Sequence, residues 1–386
     1  MTMSDSYTET VTTGWFSRIG NSIKGILIGL IMVVLAFPLL FWNEGRAIKT
    51  RKDLDQGAKE CVSANAATLN SNNEGKLVHI TGKATSKGTL RDEKFQVSAE
   101  ALKLKRVVKM YQWKENTKTS TKKEIGGKEK KTTTYTYKKV WASGRIDSGK
   151  FKKTKGHENP AVAIDSYSWA ASPITVGEYT LSTHLIFQID NYTSLHVSKP
   201  ENEIEPIAGR EVKYTDGQFY LGEDKASPAI GDLKITFMSA MPTDVSILAQ
   251  QNGNSFSPFT GDSGTTINTL TVGTHTAQSM FNSAQNNNKL LTWGIRILGF
   301  FLMFCGFKLI SAPLAVVADV LPIAGSIVGI GTGIVSFLLS APLSLITIAV
   351  AWVFYRPLIG IPLLILAGLG ITFLIMKIMG LKKAHS

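Results

Sequence analysis

Cysteine is nearly absent from this sequence, which limits how the fold can be held together. The 386 residues include only Cys61 and Cys305. Cys305 lies in a long apolar run and Cys61 in a polar part of the chain, so we expect no disulfide between them. The sequence therefore excludes a disulfide-stabilised fold, and the polar part must be stabilised by a hydrophobic core.

Catalytic and metal-binding motifs are also missing. The sequence has no HExxH, no G-x-S-x-G, no P-loop and no Cys/His cluster at metal-ligand spacing. Its most enzyme-like stretch is GHENPAVAIDSYSW at 156–169, where His157, Glu158 and Asp165 lie close together. A turn at Asn159-Pro160, with His157 bonded to backbone, explains the same residues. We predict no enzyme activity, no cofactor and no metal, and keep these three residues as the candidate site for chemistry.

Charge is absent from residues 25–42, GILIGLIMVVLAFPLLFW. Eighteen helical residues at 1.5 Å each come close to the roughly 30 Å hydrocarbon core of a bilayer. A cleaved signal peptide would have a shorter apolar core and a small-x-small cleavage site. We predict a membrane helix in which Trp42 is an anchor at headgroup depth, and Asn43, Glu44 and Arg46 lie in water.

Charge is also scarce from Leu290 to Met379. Apart from cysteine and tyrosine, the ionisable residues there are Arg296, Lys308, Asp319, Arg356 and Lys377. We predict three spans, at about 290–311, 325–354 and 358–379, with an interface-lying segment at 312–324. An extra span through 311–333 is the alternative, but Asp319 and two prolines fit mid-bilayer poorly. Tyr355 and Arg356 mark the water boundary between the last two spans, and Lys308 is a predicted partner for Asp319.

Small residues recur every four positions in the third span. Gly325, Gly329 and Gly333 form a small-xxx-small pattern, and Ser336 and Ser340 continue a second stripe beside it. Such faces allow helix backbones to approach closely in lipid. We predict that these residues pack helices together, within one bundle or between subunits.

The polar middle of the chain, 43–289, carries 34 Lys and Arg against 26 Asp and Glu, a net charge of +8. Short alternating runs separated by Gly, Asp and Pro predict a β-rich (α+β) domain. A long hairpin over 107–142 has an aromatic base and a Lys/Thr tip, and we expect the tip to be solvated and mobile. The basic surface predicts contact with membrane lipids, including anionic headgroups, and not with nucleic acid.

Four spans place both chain ends on one side of the membrane. The end of the last span is basic, with Lys377 near its last residue and Lys382 and Lys383 after it. This predicts a cytoplasmic C-terminus and a large domain on the non-cytoplasmic side. The predicted organisation is a cytoplasmic tail (1–24), a first span (25–42), a β-rich periplasmic or lumenal domain (43–289), three further spans (290–379) and a cytoplasmic tail (380–386).

Several motifs in series resemble one family. In order and spacing they are similar to the motifs of the LUMA family, also called transmembrane protein forty-three. The motifs are NEGRAIKT, NEGKLVHITG, VVKMYQW, GHENP, GDLKITF, TWGIRILGFFLMFCGF and WVFYRPLIG. The resemblance implies four membrane spans with a large domain after the first. It also implies self-association, organisation of membrane protein complexes, and, in animals, the endoplasmic reticulum and inner nuclear membrane. No catalytic residue is implied.

Together these features predict a non-enzymatic, self-associating integral membrane scaffold that has lipids and other membrane proteins as partners. In a bacterium we expect it in the inner (cytoplasmic) membrane, and in a eukaryote in the endoplasmic reticulum or inner nuclear membrane. The alternative is a lipid-handling or lipid-modifying protein that acts at the membrane surface.

Overall fold

A computed structural model describes residues 5–358, 360–362 and 365. The helices are α1 Trp15–Glu60, α2 Thr183–Phe187, α3 Ala277–Ala318 and α4 Pro322–Tyr355. The strands are β1 Ser6–Thr13, β2 Val62–Asn65, β3 Leu77–Thr85, β4 Leu90–Asp92, β5 Val97–Ala99, β6 Lys103–Lys123, β7 Glu129–Ser143, β8 Tyr167–Ala170, β9 Thr175–Val176, β10 Tyr179–Thr180, β11 Thr193–Leu195, β12 Val212–Thr215, β13 Gln218–Leu221, β14 Leu233–Ala240, β15 Thr243–Asn252, β16 Ser255–Ser257, β17 Phe259–Thr260, β18 Thr266–Ile267 and β19 Thr269–Val272.

Three helices, α1, α3 and α4, are long and apolar enough to cross a membrane. Each extends beyond the predicted span, since they contain 46, 42 and 34 residues. The predicted fourth span at 358–379 lies almost entirely outside the described residues. The described part of the chain therefore contains three apolar helices and a large β-rich domain.

The segment 312–324, predicted to lie along the membrane interface, is mostly helical in the structure. Helix α3 continues through Pro313 to Ala318, and α4 begins at Pro322, the first helical position, where the missing N–H of proline costs little. Only the turn around Asp319 separates the two helices. The turn is stable because Asp319 is paired with basic residues from elsewhere in the chain.

Two sheets form most of the β-rich domain. An eight-stranded sheet has the order β1-β7-β6-β14-β13-β12, with β8 paired to β6 and β11 to β14. A seven-stranded sheet has the order β10-β9-β3-β15-β16, with β2 and β19 paired to β3 and β15. One of the alternating runs of the sequence, at 179–189, is extended only in β10 and then forms the short helix α2. The β-rich prediction for this part of the chain is confirmed.

The domain is joined to the helices through a shared core. Leu54 of α1 and Met280 and Phe281 of α3 are buried against Leu77 and Leu248 of the seven-stranded sheet. The ends of α1 and α3 beyond the apolar runs therefore belong to the domain core. This explains why both helices are longer than a bilayer requires.

Close backbone contact joins α1 and α3 inside the bundle. A Cβ on Gly29 would lie 2.5 Å from the carbonyl oxygen of Gly306, and a Cβ on Gly306 would lie 2.7 Å from that of Gly29. Nearby, Leu40 packs directly over Gly299. These glycines let the two helices pack at a distance that larger side chains would prevent.

The long hairpin is confirmed as β6 and β7, but its tip is neither free nor solvated on all sides. Strand β1 pairs antiparallel with β7 from Ser6↔Thr136 to Thr13↔Glu129, which makes a three-stranded ribbon. The indole of Trp15 lies against Gly127, and the Gly126 N–H donates to the carbonyl of Val320 at 3.0 Å. The N-terminal tail, the tip and the α3–α4 turn thus form one contact.

This contact corrects the predicted separation of the tip from the N-terminal tail across the membrane. Measured along α1, Arg18 and Glu44 are 26 residue steps apart, which corresponds to about 39 Å. Strand β6 from Met110 to Lys123 spans a similar length, about 43 Å. The ribbon is long enough to reach the far end of the helices, which the sequence pattern of Lys and Thr alone did not indicate.

Candidate functional site at the membrane boundary

A buried polar cluster lies where the apolar run of α1 ends. Trp42 is exposed, but the next two side chains, Asn43 and Glu44, are each 0% exposed. The sequence predicted that these residues enter water. They are instead enclosed by α3, which continues past this level, and by the last turn of α4, which ends beside them.

Glu44 links three helices through its two carboxylate oxygens. Arg296 of α3 donates from Nε to Oε1 at 2.7 Å and from Nη2 to Oε2 at 2.9 Å. Trp352 of α4 donates its indole N–H to Oε2 at 2.8 Å. A bidentate Arg–carboxylate pair is among the stronger polar contacts in proteins. The guanidinium of Arg296 is committed to this pair.

Arg46, a predicted interface anchor, forms a second link between α1 and α3. Its Nη1 donates to Asn288 Oδ1 at 2.9 Å, and Nη2 donates to Thr292 Oγ1 at 3.0 Å and Asn43 Oδ1 at 3.2 Å. Asn43 in turn donates to the carbonyl of Thr292 at 3.0 Å. Arg46 thus fixes the two helices against each other instead of extending into water.

The other predicted anchors lie at this same end of the bundle. A Cβ on Gly45 would lie 2.5 Å from Cζ of Tyr355, and the Tyr355 ring centroid is 5.4 Å from that of Phe41. Arg356 follows directly as the cap residue of α4. The structure therefore brings Trp42, Arg46, Tyr355 and Arg356 to one level of the bundle.

A second charged cluster lies at the opposite end of the bundle. Asp319 is 1% exposed and is paired with Arg18 of α1 and, at 2.7 Å, with Nζ of Lys123 of β6. Arg18 also donates to the carbonyl of Gly127 at 2.6 Å. The sequence predicted Lys308 as the partner of Asp319. The observed partners lie 301 and 196 residues away in the chain, where no local pattern could have revealed them.

The candidate chemical residues have separate structural partners. His157 is buried, stacks on Tyr137 with ring centroids 3.9 Å apart, and contacts Asp5 through Nε2 at 2.7 Å. Glu158 accepts from the backbone N–H of Gly156 at 2.9 Å. The carbonyl of Asp165 accepts from Nε of Arg106 at 3.1 Å. His157 thus holds the N-terminal tail on the ribbon.

Burial and the adjacent Glu115 raise the pKa of Tyr137 to about 12. The neutral phenol of Tyr137 donates to Glu115 Oε2 at 2.8 Å. In the described part of the chain, no three His, Cys, Asp or Glu side chains are grouped as metal ligands.

The small residues of α4 divide into two groups. Gly325 packs on Asp319, whereas no described atom lies within 4 Å of a Cβ position on Gly329 or Gly333. Ser336 and Ser340 are both 0% exposed, but their hydroxyls donate to Thr332 and Phe337 of their own helix. Among the described helices, the two serines therefore allow close packing without interhelical hydrogen bonds.

These features define an integral membrane protein with an inserted domain. The bundle has long helices with exposed apolar faces and a polar cluster at each end, and a large β-rich domain lies between α1 and α3 in the chain. The family model for transmembrane protein 43 matches residues 110–357. The chain belongs to this family, which is the LUMA family that its motifs resemble.

Curated relatives match nearly the whole chain. Transmembrane protein 43 of Homo sapiens is 35% identical over 371 residues, covering 93% of this chain and 90% of that protein. The Mus musculus protein is 34% identical over 357 residues, covering 89% and 88%. The Drosophila melanogaster homolog is 29% identical over 349 residues, covering 88% and 91%. No solved structure matches the chain.

Proposed function

We propose that this protein is a non-enzymatic, self-associating membrane scaffold that organises membrane protein complexes or membrane structure. The observation that carries the proposal is the polar three-stranded ribbon that reaches from the β-rich domain to the far end of an apolar helix bundle. Its partners would be further copies of the chain, other membrane proteins and lipids. The non-cytoplasmic side remains our proposed location for the domain.

The ribbon and the helices need different surroundings. Leu27, Ile31 and Val34 on α1 are exposed and suit acyl chains. The ribbon residues from Thr117 to Lys122 are also exposed, and they are Thr, Ser and Lys. Lipid-exposed open strands do not occur in the hydrocarbon region, because their backbone groups would lack hydrogen-bond partners.

A neighbouring copy would provide the missing cover. Strand β1 is the outer strand of its sheet, and β6 pairs with β14 only from Lys103 to Met110. Within the described residues, the ribbon therefore has two open strand edges, which are templates for pairing with another chain. Association through these edges would remove the ribbon from lipid while the apolar helix faces stay in contact with it.

Oxidative crosslinking in native membranes tests the proposal. Ser120→Cys places a thiol on the exposed part of β6, in a background of Cys61→Ala and Cys305→Ala. Ser227→Cys, in an exposed loop of the domain, is the matched control. We expect crosslinked dimers or larger species from position 120 and only monomer from position 227. Sizing of the uncrosslinked protein then measures its oligomeric state directly.

Equal crosslinking at the two positions would indicate random collision. A monomer at native expression, with no crosslinking at position 120, would contradict self-association.

A lipid-handling function is the second candidate. The basic cavity beside Glu44 favours it, because such a cavity suits the phosphate of a lipid headgroup. Under this alternative, the protein would hold or present a lipid at the membrane surface.

A further inference from the structure

The cavity at the domain end of the bundle has an unusual excess of positive charge. It has a volume of about 290 Å³ and lies between α1, α3 and the end of α4. Its basic lining residues are Arg51, Lys289, Arg296 and Arg356. Among the described residues that line it, Glu44 is the carboxylate present.

Glu44 does not neutralise this excess. Both of its oxygens are used by Arg296 and Trp352. Arg51 lies 3.6 Å from Asp55, but both side chains are more than half exposed, and such pairs contribute little. Three cations therefore remain weakly compensated or uncompensated.

Lys289 and Arg356 have no acidic partner within residues 5–358. No Asp or Glu occurs in the sequence after Asp319, so the C-terminal residues supply no acidic side chain. Burial lowers the pKa of Arg356, and the positive charges of Arg51 and Arg296 lower it further, against the opposing effect of Glu44. An anion in the cavity would relieve this repulsion.

The cavity lies at the depth expected for lipid headgroups. Trp42 and Trp293, both exposed, mark the level at which indole rings favour the membrane–water boundary. Ile297, Leu298 and Phe301 are exposed on α3 on the bilayer side of Trp293. A molecule with its anionic group among the cations would have its apolar part next to these side chains.

We propose that this cavity binds the phosphate group of an anionic phospholipid, with the acyl chains along the exposed apolar face of α3. Guanidinium groups match phosphate oxygens in a bidentate geometry, and Lys289 adds a point charge. The proposal specifies a lipid partner of the proposed scaffold, but it does not require self-association.

Lipid titration of the full-length chain, purified in detergent and freed of lipid, tests the site by native mass spectrometry. Phosphatidylglycerol is compared with phosphatidylcholine that has the same acyl chains. We expect preference for phosphatidylglycerol, and about a tenfold loss of affinity for Lys289→Gln or Arg356→Gln, as one charge-assisted hydrogen bond is removed. Arg296 is left unchanged because it holds Glu44.

Lys49→Gln and Lys52→Gln are the matched controls, since both lysines are exposed on α1 outside the cavity. We expect these variants to bind phosphatidylglycerol as the unchanged protein does. An equal loss in the control and cavity variants would mean that the whole basic surface attracts lipid, and would overturn the site. Thermal unfolding of each variant shows that it is folded.

Inorganic phosphate distinguishes a lipid site from a free-phosphate site. If phosphate ions bind with the same dependence on Lys289 and Arg356, and phosphatidylglycerol binds no more tightly, the lipid assignment is wrong. If selective lipid binding persists while crosslinking finds only monomers, the scaffold proposal fails and the headgroup site stands.

Discussion

At the scale of single residues, two buried carboxylates determine how distant parts of the chain meet. Glu44 joins α1 to α3 and α4, and Asp319 joins the α3–α4 turn to α1 and β6. Burying a charge costs several kcal/mol unless it is paired and hydrogen-bonded. Each carboxylate meets this requirement only when its partners are in place, so both favour one arrangement of the elements.

Glu44→Ala tests the first of these links. The change leaves the Arg296 guanidinium, whose side chain is 15% exposed, without its carboxylate. We expect a loss of about 3 kcal/mol in the free energy of unfolding, because breaking a buried ion pair leaves an uncompensated charge. Denaturant unfolding of the purified protein in detergent measures this.

Glu60→Ala is the control, since Glu60 lies on the same helix but is exposed, and we expect a change within about 0.5 kcal/mol. The double variant Glu44→Ala/Arg296→Ala should lose less than the sum of the two single changes. Additive losses would show that the two residues do not stabilise each other.

The level at which the apolar runs of α1 and α4 end was predictable at this scale, but the partners of the polar residues there were not. The sharp change after Trp42 and the YRP turn at 355–357 are local composition signals, and the structure places them at one level. Glu44 and Arg296 are 252 residues apart. A single sequence holds no physical signal that pairs residues over that separation, so Glu44 was predicted to lie in water.

At the scale of elements, a glycine pattern identified a packing helix but not the main contact. The repeat of Gly325, Gly329 and Gly333 directed attention to α4, yet a close backbone approach joins Gly29 of α1 to Gly306 of α3. A spacing of four shows that one helix has a flat face. It does not show which helix packs there, because that depends on the order of the elements in the bundle.

Gly306→Ala tests the α1–α3 contact. The added methyl would lie 2.7 Å from the carbonyl oxygen of Gly29, so the helices must separate. We expect a loss of about 1–3 kcal/mol in the free energy of unfolding, the usual range for overpacking. Gly29→Ala should produce a similar loss.

Gly294→Ala, on the same helix, is the matched control because no described atom lies within 4 Å of its Cβ position. Alanine favours helix over glycine by about 0.8–1.0 kcal/mol, so this variant should be at least as stable as the unchanged protein. Equal effects of the two substitutions would contradict a close approach at Gly306.

At the scale of the whole molecule, the ribbon connects the two ends of the bundle. Its base lies in the domain, its tip contacts Asp319 through Lys123, and β1 runs from near His157 to the tip. Alternation and composition predicted the hairpin strands β6 and β7. They did not predict a third strand from the N-terminal tail. That strand pairs with β7 because the first residue of α1, Trp15, lies against the tip, and this contact is not visible in the local sequence.

The position of β1 predicts a disulfide that the sequence-based topology forbids. Thr8 pairs with Thr134, and their Oγ1 atoms are 3.3 Å apart. In a background of Cys61→Ala and Cys305→Ala, Thr8→Cys/Thr134→Cys should form an intrachain disulfide on mild oxidation in membranes. A mobility shift on a non-reducing gel, reversed by reductant, measures it.

Thr8→Cys/Lys118→Cys is the control. Lys118 of β6 pairs with Thr134 on the side of β7 away from β1, so it lies one strand further from Thr8. Two strand spacings of about 4.8 Å exceed the separation that a disulfide can bridge. If the tail and the tip lay on opposite sides of a hydrocarbon core of about 30 Å, neither pair would oxidise. Oxidation of the first pair alone requires the ribbon to reach the N-terminal end of α1. If the first pair does not oxidise, the ribbon does not lie along the helices, and self-association is not needed to cover it.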